Sequence, residues 1–341
     1  MLKTLKKTAV ASVIAIAAAT GAWAQEVTLN LHQLLPLQAT IPAKAIQPWI
    51  EKVQADSDGR IKIDHYPSMQ LGGKPPELYD QAAEGVADII WTVIGYTPGR
   101  FPKTEAFELP FMVGDSTSSS KAFHEYVLAN GMDEFSDTHP IVFHTHGPGW
   151  IHSNVNVTTL DDVAGQKLRG PTRVTGQLLG KLGATPVGMP VPAVPEAVSK
   201  GVIDGAIIPW EVTLPLRMSE LTKYHSGFAS EPGLYTATFV MTMNKDSYAA
   251  LPDDLKAVID GNSGPEVSRL FGAAMDAADV VGRSVATKAG NTITELDGEK
   301  DRWIAAGSEV TADWIEEMNS KGLDGAALVQ SAKDFIAQNT N

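Results

Sequence analysis

The chain has 341 residues, of which 43% are hydrophobic and 20% charged, a composition that suits about two globular domains and excludes a largely disordered chain. A formal net charge of −13 argues against nucleic acid as a partner. The sequence contains no cysteine, which excludes disulfide bonds and a lipid attached to a thiol.

The first 24 residues have the pattern of a signal peptide. Three lysines lie within the first seven residues, residues 9–22 are apolar, and Ala22 and Ala24 place small side chains at a cleavage site. We therefore expect a mature periplasmic chain that begins at Gln25, with 24 basic against 40 acidic residues and a formal charge of −16. The alternative is a membrane anchor, although the apolar run is shorter than the roughly 20 residues that span a bilayer.

Strands and helices alternate in the next part of the chain. The predicted elements are a strand at 27–31, a helix at 41–55, a strand at 61–66, a helix at 75–84 and a strand at 87–94. Glycine-containing turns, at Ser57-Asp58-Gly59 and Gly72-Gly73, separate them. This alternation predicts an α/β domain with a mostly parallel sheet.

A second α/β pattern begins after Pro140. Its predicted elements are a strand at 141–145, a strand that ends at 168–169, a helix at 176–182 and a short helix at 195–200. A strand at 236–244, a helix at 265–288 and further helices from residue 299 follow. The late strand and the long helix lie too far along the chain to extend the second unit simply, so we expect a discontinuous domain.

Five sequence segments occur in a fixed order across the chain. They are LGGKPPELYDQAAEGVADI (71–89), GYTPGRFPKTEAFELPFM (95–112), TTLDDVAGQKLRGP (158–171), LGATPVGMPVPAVPEAVSKGVIDGAIIPW (182–210) and ELTKYHS (220–226). In this order they resemble the substrate-binding component of TRAP transporters, the tripartite ATP-independent periplasmic systems. The resemblance covers essentially the whole mature chain.

The resemblance implies a two-lobed α/β clamp of the periplasmic-binding-protein type, with mixed sheets, a long helix that bridges both lobes and C-terminal helices. The first lobe is expected over 26–146 plus 235–275, the second over 147–234, and the bridging and C-terminal helices over 276–341. It also implies a monomer that binds a small organic acid without cofactor or catalysis, does not insert into the membrane, and delivers its ligand to TRAP-type permease subunits.

Arg169, in the segment KLRGP, falls on the carboxylate-binding arginine of the family. The chemistry agrees, because a guanidinium group donates two parallel hydrogen bonds to a planar carboxylate. Arg173 has no such counterpart, and we expect it to be solvated or to bridge other groups.

Three positions depart from the family pattern. Trp150 stands where many members have a second arginine, Ile208 replaces a frequent asparagine and is followed by Trp210, and Val191 replaces a frequent aromatic residue. The resemblance then implies an apolar cleft with one cationic anchor, which suits a monocarboxylate with an apolar or aromatic body. A C4-dicarboxylate or a 2-oxo acid is the alternative ligand.

From the first lobe, the resemblance places further residues at the ligand: His32, Gln33, Trp91, Thr92 and Tyr96. For Trp91 and Trp150, stacking on a ligand ring and packing in the core remain equally open.

An exported, metal-dependent enzyme that acts on a carboxylate is the rival function. His144, His146 and His152 have a spacing that could bind zinc, but no cysteine or acidic partner of clear spacing accompanies them. We therefore expect no metal site, although one of these histidines could hydrogen-bond a ligand. The chain also lacks the G-x-S-x-G, Walker and H-E-x-x-H motifs of common hydrolases and nucleotide-binding proteins.

Overall fold

The computed structural model describes residues 25–340, so the predicted signal peptide lies outside the described residues. Two mixed β-sheets, covered by helices, form the structure. Among residues 25–340, no helix has the length and apolar content needed to cross a membrane.

The first sheet has five strands in the order β2-β1-β3-β10-β4. Its strands are β1 (Val27–Gln33), β2 (Ile61–Tyr66), β3 (Ile89–Val93), β4 (Thr138–Thr145) and β10 (Thr238–Asn244). β1 pairs in parallel with β2 and β3, whereas β10 is antiparallel to both β3 and β4. The sheet is therefore mixed, with a late strand of the chain inserted between two early ones.

The second sheet has six strands in the order β11-β9-β5-β8-β6-β7. Its strands are β5 (Trp150–Ser153), β6 (Lys167–Gly170), β7 (Thr185–Gly188), β8 (Gly205–Ile208), β9 (Tyr224–Gly227) and β11 (Thr292–Glu295). β11 pairs in parallel with β9. The sequence analysis predicted only helices in this C-terminal part, because a four-residue strand at a sheet edge has too short a pattern to recognise.

Helices fill the connections between the strands. They are α1 (Gln47–Asp56), α2 (Leu78–Ala83), α3 (Ser116–Asn130), α4 (Arg173–Lys181), α5 (Val194–Ser199), α6 (Trp210–Leu216), α7 (Met218–Leu221), α8 (Lys245–Ala249), α9 (Asp253–Gly261), α10 (Pro265–Lys288), α11 (Lys300–Ser320) and α12 (Gly325–Asn339). A π-helical turn, Pro42–Ile46, leads into α1. Helix α3 was not predicted, because its serine-rich first turn has weak helix propensity.

Helix α10 packs on both halves of the molecule. It contacts α3 and β4 beside the first sheet, and α6 and β11 beside the second. A Cβ atom at position 272 would lie 2.2 Å from Ser116 O, and one at position 282 would lie 2.2 Å from Trp210 O, so Gly272 and Gly282 allow both approaches. The predicted long helix that bridges both lobes is therefore confirmed.

The C-terminal helices are anchored by buried tryptophans. Trp303 and Trp314 of α11 are almost completely buried, and Trp314 Nε1 donates a hydrogen bond to Glu105 Oε2 at 3.0 Å. Helix α11 packs on α4, and α12 packs on α3. The predicted C-terminal helices are thus part of the fold and brace elements on both halves.

Candidate ligand-binding site

A cavity lies between the two sheets. It is lined by Leu34, Leu35, Trp91, Val93, Tyr96, His146, Arg169, Pro171, Val191, Ile208, Pro209, Glu211, Val212, Tyr235, Ala237 and Phe239. Both sheets contribute residues, and so do two of the three chain segments that connect them. The lining is mainly apolar and aromatic.

Arg169, on β6, is the positively charged residue of the cavity wall, and only 2% of it is exposed. Its Nε donates to Met189 O at 2.9 Å, while Nη1 and Nη2 make only long contacts, to Ile207 O at 3.4 Å and to the Tyr96 hydroxyl at 3.5 Å. Within residues 25–340 these acceptors include no carboxylate. A buried cation without an anion is costly, so the geometry suits an anionic ligand at the two terminal nitrogens.

Arg173 provides a comparison four residues further along the chain. Its Nε donates to Glu105 Oε1 at 2.6 Å, and its Nη1 pairs with Glu317 Oε2 at 2.7 Å. Its charge is therefore met inside the protein, as a bridge between α4, α11 and the segment before α3. Of the two neighbouring arginines, Arg169 is the one left without a carboxylate partner.

Two tyrosine hydroxyls lie near Arg169. The Tyr96 hydroxyl accepts a hydrogen bond from Val191 N at 2.8 Å, and the Tyr235 hydroxyl donates one to Ile207 O at 2.8 Å. Burial raises the pKa of both tyrosines, although the Arg169 charge opposes this effect. Both hydroxyls are therefore neutral, and the Tyr96 contact joins a residue that follows β3 to one that follows β7.

His146 forms part of the wall and is neutral. Burial lowers its pKa to about 4, against the effect of its hydrogen bond to Gly147 and with a further lowering by Arg169. Its Nε2 accepts from Ala237 N at 3.0 Å, and its Nδ1 faces Gly147 O. Both ring nitrogens are thus engaged by backbone groups.

The other two histidines of the possible zinc set also have protein partners. Trp91 Nε1 donates to His144 Nε2 at 2.8 Å, and His152 Nδ1 lies 2.7 Å from His225 Nδ1. In the described part of the chain, no three or more potential metal ligands come together. The structure therefore does not gather His144, His146 and His152 into a metal centre.

Stacked aromatic rings form part of the cavity wall. The rings of Trp91 and Phe239 stack with their centroids 5.3 Å apart, and His144 stacks on Phe239 at 4.6 Å. Trp91 packs in the core and also lines the cavity, so stacking of a ligand ring on Trp91 stays a prediction.

Of the ten predicted site residues, the structure brings five to the cavity: Arg169, Val191, Ile208, Trp91 and Tyr96. Thr92 does not line it, because neighbouring residues of a strand point to opposite faces and Trp91 occupies the cavity side. The Thr92 hydroxyl instead donates to Pro75 O at 3.4 Å.

At the end of β1, the residues that line the cavity lie two positions later in the chain than the predicted His32 and Gln33. His32 Nδ1 lies 2.7 Å from Gln81 Oε1, and the Gln33 side chain donates to Leu35 O at 2.7 Å. These polar side chains fix the turn after β1. Leu34 and Leu35 reach the cavity in their place.

Trp150 and Trp210 lie in a separate cluster with Ala286 of α10 and do not line the cavity. Their ring centroids are 5.5 Å apart, and the Arg283 guanidinium carbon lies 5.1 Å from the Trp150 ring centroid. The correction has a packing cause: both indoles fill the space between the second sheet and α10.

Sequence reasoning missed several lining residues, among them Tyr235, Phe239 and Glu211. Tyr235 and Phe239 flank the start of β10, and they reach the cavity only because the chain returns to the first sheet there. Glu211 follows Trp210 in a segment that had been singled out. The one sequence feature that could have indicated Glu211 as a site residue is its position directly after the apolar segment GAIIPW.

Comparisons with known proteins agree with this geometry. The family model for bacterial extracellular solute-binding proteins of family 7, DctP, matches residues 36–320. A TRAP solute-binding protein from Rhodoferax ferrireducens, solved with copurified benzoate, is 46% identical, with 92% of this chain and 98% of that chain covered and a TM-score of 0.90.

Two further solved structures are similar. A marine metagenome TRAP solute-binding protein specific for aromatic acid ligands, in complex with 3-hydroxybenzoate, is 47% identical, with 93% and 100% of the two chains covered and a TM-score of 0.91. A TRAP periplasmic solute-binding protein from Bordetella bronchiseptica with bound mandelate is 26% identical, with 91% and 99% covered and a TM-score of 0.84.

Proposed function

The chain belongs to the DctP family, the family 7 bacterial extracellular solute-binding proteins, and we propose that it captures an aromatic monocarboxylate for a TRAP-type permease. It is a TRAP solute-binding protein, and members of this family bind solutes without transforming them. Export to the periplasm with cleavage after Ala24 belongs to the same proposal, supported by the N-terminal pattern.

The observation that carries the proposal is Arg169, a buried cation without a carboxylate partner in a cavity whose other walls are mostly apolar. A ligand carboxylate would supply the missing anion and receive two charge-assisted hydrogen bonds. An aromatic ring would fill the remaining space against Trp91 and Phe239. Relatives that are 46% and 47% identical bind benzoate and 3-hydroxybenzoate.

One anchor favours one carboxylate. Among the described residues that line the cavity, Arg169 alone carries a formal positive charge, and Glu211 is acidic. A second carboxylate would lose its hydration without gaining a cation. C4-dicarboxylates should therefore bind more weakly than aromatic acids, and 2-oxo acids should leave much of the cavity unfilled.

We propose two lobes that close around the ligand, with the first over 26–146 plus 235–275 and the second over 147–234. The strand positions support these boundaries, since β1–β4 and β10 share one sheet while β5–β9 share the other, to which the C-terminal part adds the edge strand β11. Closure would bury the ligand and present a surface that the permease recognises. The Tyr96–Val191 hydrogen bond is one contact that would form on closure.

The proposal is tested by calorimetry and thermal shift on the mature chain, after partial unfolding in guanidinium has removed any copurified ligand. Benzoate and 3-hydroxybenzoate should bind with one-to-one stoichiometry and raise the melting temperature, because they bind the folded form. Succinate, pyruvate and glucuronate are the comparison ligands. Shifts produced only by those ligands would overturn the proposal, as would turnover of the acid in the presence of zinc.

A further inference from the structure

Glu211 is an unusual residue for a cavity that binds acids. It lies in the first turn of α6, only 4% of its surface is exposed, and it lines the cavity. Its backbone N–H donates to Asp279 Oδ1 of α10 at 2.6 Å, so the position of the residue is fixed. An acidic side chain held at this place needs a chemical role, because burying an unpaired carboxyl group is unfavourable.

The carboxyl group of Glu211 has few partners of its own. Burial raises its pKa to about 7, and the Thr40 side chain, which follows β1, opposes this rise by hydrogen bonding. Within residues 25–340 it forms no ion pair with lysine, arginine or histidine. Whether ionised or protonated, the group keeps an oxygen that can accept a hydrogen bond.

Glu211 and Arg169 have different neighbours and lie on different elements. The Arg169 guanidinium contacts Met189, Ile207 and Tyr96 from β6, whereas Glu211 on α6 is held by Asp279 of α10. The cavity wall therefore offers a cation from β6 and a hydrogen-bond acceptor from α6.

We propose that Glu211 is a specificity-determining residue that accepts a hydrogen bond from a ring hydroxyl, so that the protein prefers hydroxylated aromatic acids. This inference rests on the proposed function and names the ligand class within it. Glu211 is acidic and lines the cavity, so a second anion gains no cation from this residue. A phenolic hydroxyl is neutral and donates, which matches the site on both counts.

The test is calorimetry with three ligands that share one scaffold: benzoate, 3-hydroxybenzoate and 3-methoxybenzoate. We expect the wild-type protein to bind 3-hydroxybenzoate about tenfold more tightly than benzoate. The methoxy analogue has no donor and should lose this advantage. In Glu211→Leu the ratio of the two dissociation constants should approach one, because the acceptor for the ring hydroxyl has been removed.

Two variants separate recognition from folding. Glu211→Gln keeps the volume and one acceptor oxygen, so it should retain part of the preference even if Glu211→Leu fails to fold. Glu134→Gln is the matched control, because burial also raises the pKa of Glu134 to about 7 but the residue does not line the cavity. Its preference should equal that of the wild-type protein.

The outcomes distinguish this inference from the proposed function. If neither benzoate nor 3-hydroxybenzoate binds the wild-type protein, the proposed function fails. If benzoate binds but the hydroxyl gives no advantage, or if the advantage survives in Glu211→Leu, only the role of Glu211 is overturned. A preference that falls equally in Glu134→Gln would also overturn it.

Discussion

Replacement of Arg169 by methionine should abolish most of the affinity for aromatic acids while leaving the fold intact. Methionine keeps most of the side-chain volume and is compatible with the apolar cavity wall. The internal cost is mainly the donor that Met189 O loses, because the Ile207 carbonyl keeps the hydrogen bond from the Tyr235 hydroxyl. The ligand, in contrast, loses its cationic partner.

The magnitude follows from the two terminal nitrogens of the guanidinium. Their present contacts are 3.4 and 3.5 Å long, so both remain able to donate to a carboxylate. Charge-assisted hydrogen bonds contribute roughly 1.5 to 3 kcal/mol each, or about 3 to 6 kcal/mol for the pair. Desolvation of the ligand carboxylate offsets part of this sum, and the lower value corresponds to about a hundredfold weaker binding.

Calorimetry with benzoate measures the loss, and circular dichroism confirms that the variant is folded. Arg217→Met is the matched control, because it removes the same charge from an exposed side chain that pairs with Glu220. That variant should bind benzoate like the wild-type protein. A dissociation constant for Arg169→Met within about threefold of wild type would refute the assignment of Arg169 as the anchor.

Two further predictions concern stability. In Gly149→Ala, the new Cβ would lie 1.9 Å from Cε1 of Tyr235, which lines the cavity. The free energy of unfolding measured in urea should therefore decrease by about 1–3 kcal/mol, and benzoate should bind more weakly. A variant as stable as the wild-type protein would contradict this. Burial lowers the pKa of all eight histidines, five of them to about 3 or 4, so below pH 6.5 the unfolded chain takes up protons that the folded chain does not. The urea concentration at the unfolding midpoint should therefore decrease as the pH is lowered from 7 to 5. Glu108, Glu134 and Glu211, whose pKa values are raised to about 7, act in the opposite direction and make this decrease smaller. A higher midpoint at pH 5 than at pH 7 would contradict the prediction.

Elements with a strong apolar period were predictable from the sequence. The helix predicted at 265–288 is α10 (Pro265–Lys288), and the strand predicted at 61–66 is β2 (Ile61–Tyr66). Helix α4 begins three residues earlier than predicted, because Thr172 caps it by accepting from the Thr175 N–H. Local periodicity and caps thus determine most of these bounds.

The site was less predictable, because its residues converge from distant parts of the chain. Arg169 could be found, since the resemblance fixed its register and the chemistry of a guanidinium limited its role. Tyr235 and Phe239 could not, because their approach depends on how β10 returns to the first sheet. The sequence also could not show whether Trp91 or Thr92 faces the cavity, because a shift of one residue along the strand moves every side chain to the opposite face of the sheet.

The residues that favour an aromatic ligand in the structure differ from those that first suggested it. Trp150 and Ile208 were both predicted to line the cleft as apolar replacements of polar contacts, but Trp150 packs under α10 and only Ile208 lines the cavity. The apolar character instead comes from Trp91, Phe239 and the leucines after β1. Because no second cation enters the cavity from any described element, the restriction to one carboxylate holds without Trp150, and Glu211 strengthens it by adding an acidic side chain to the cavity wall.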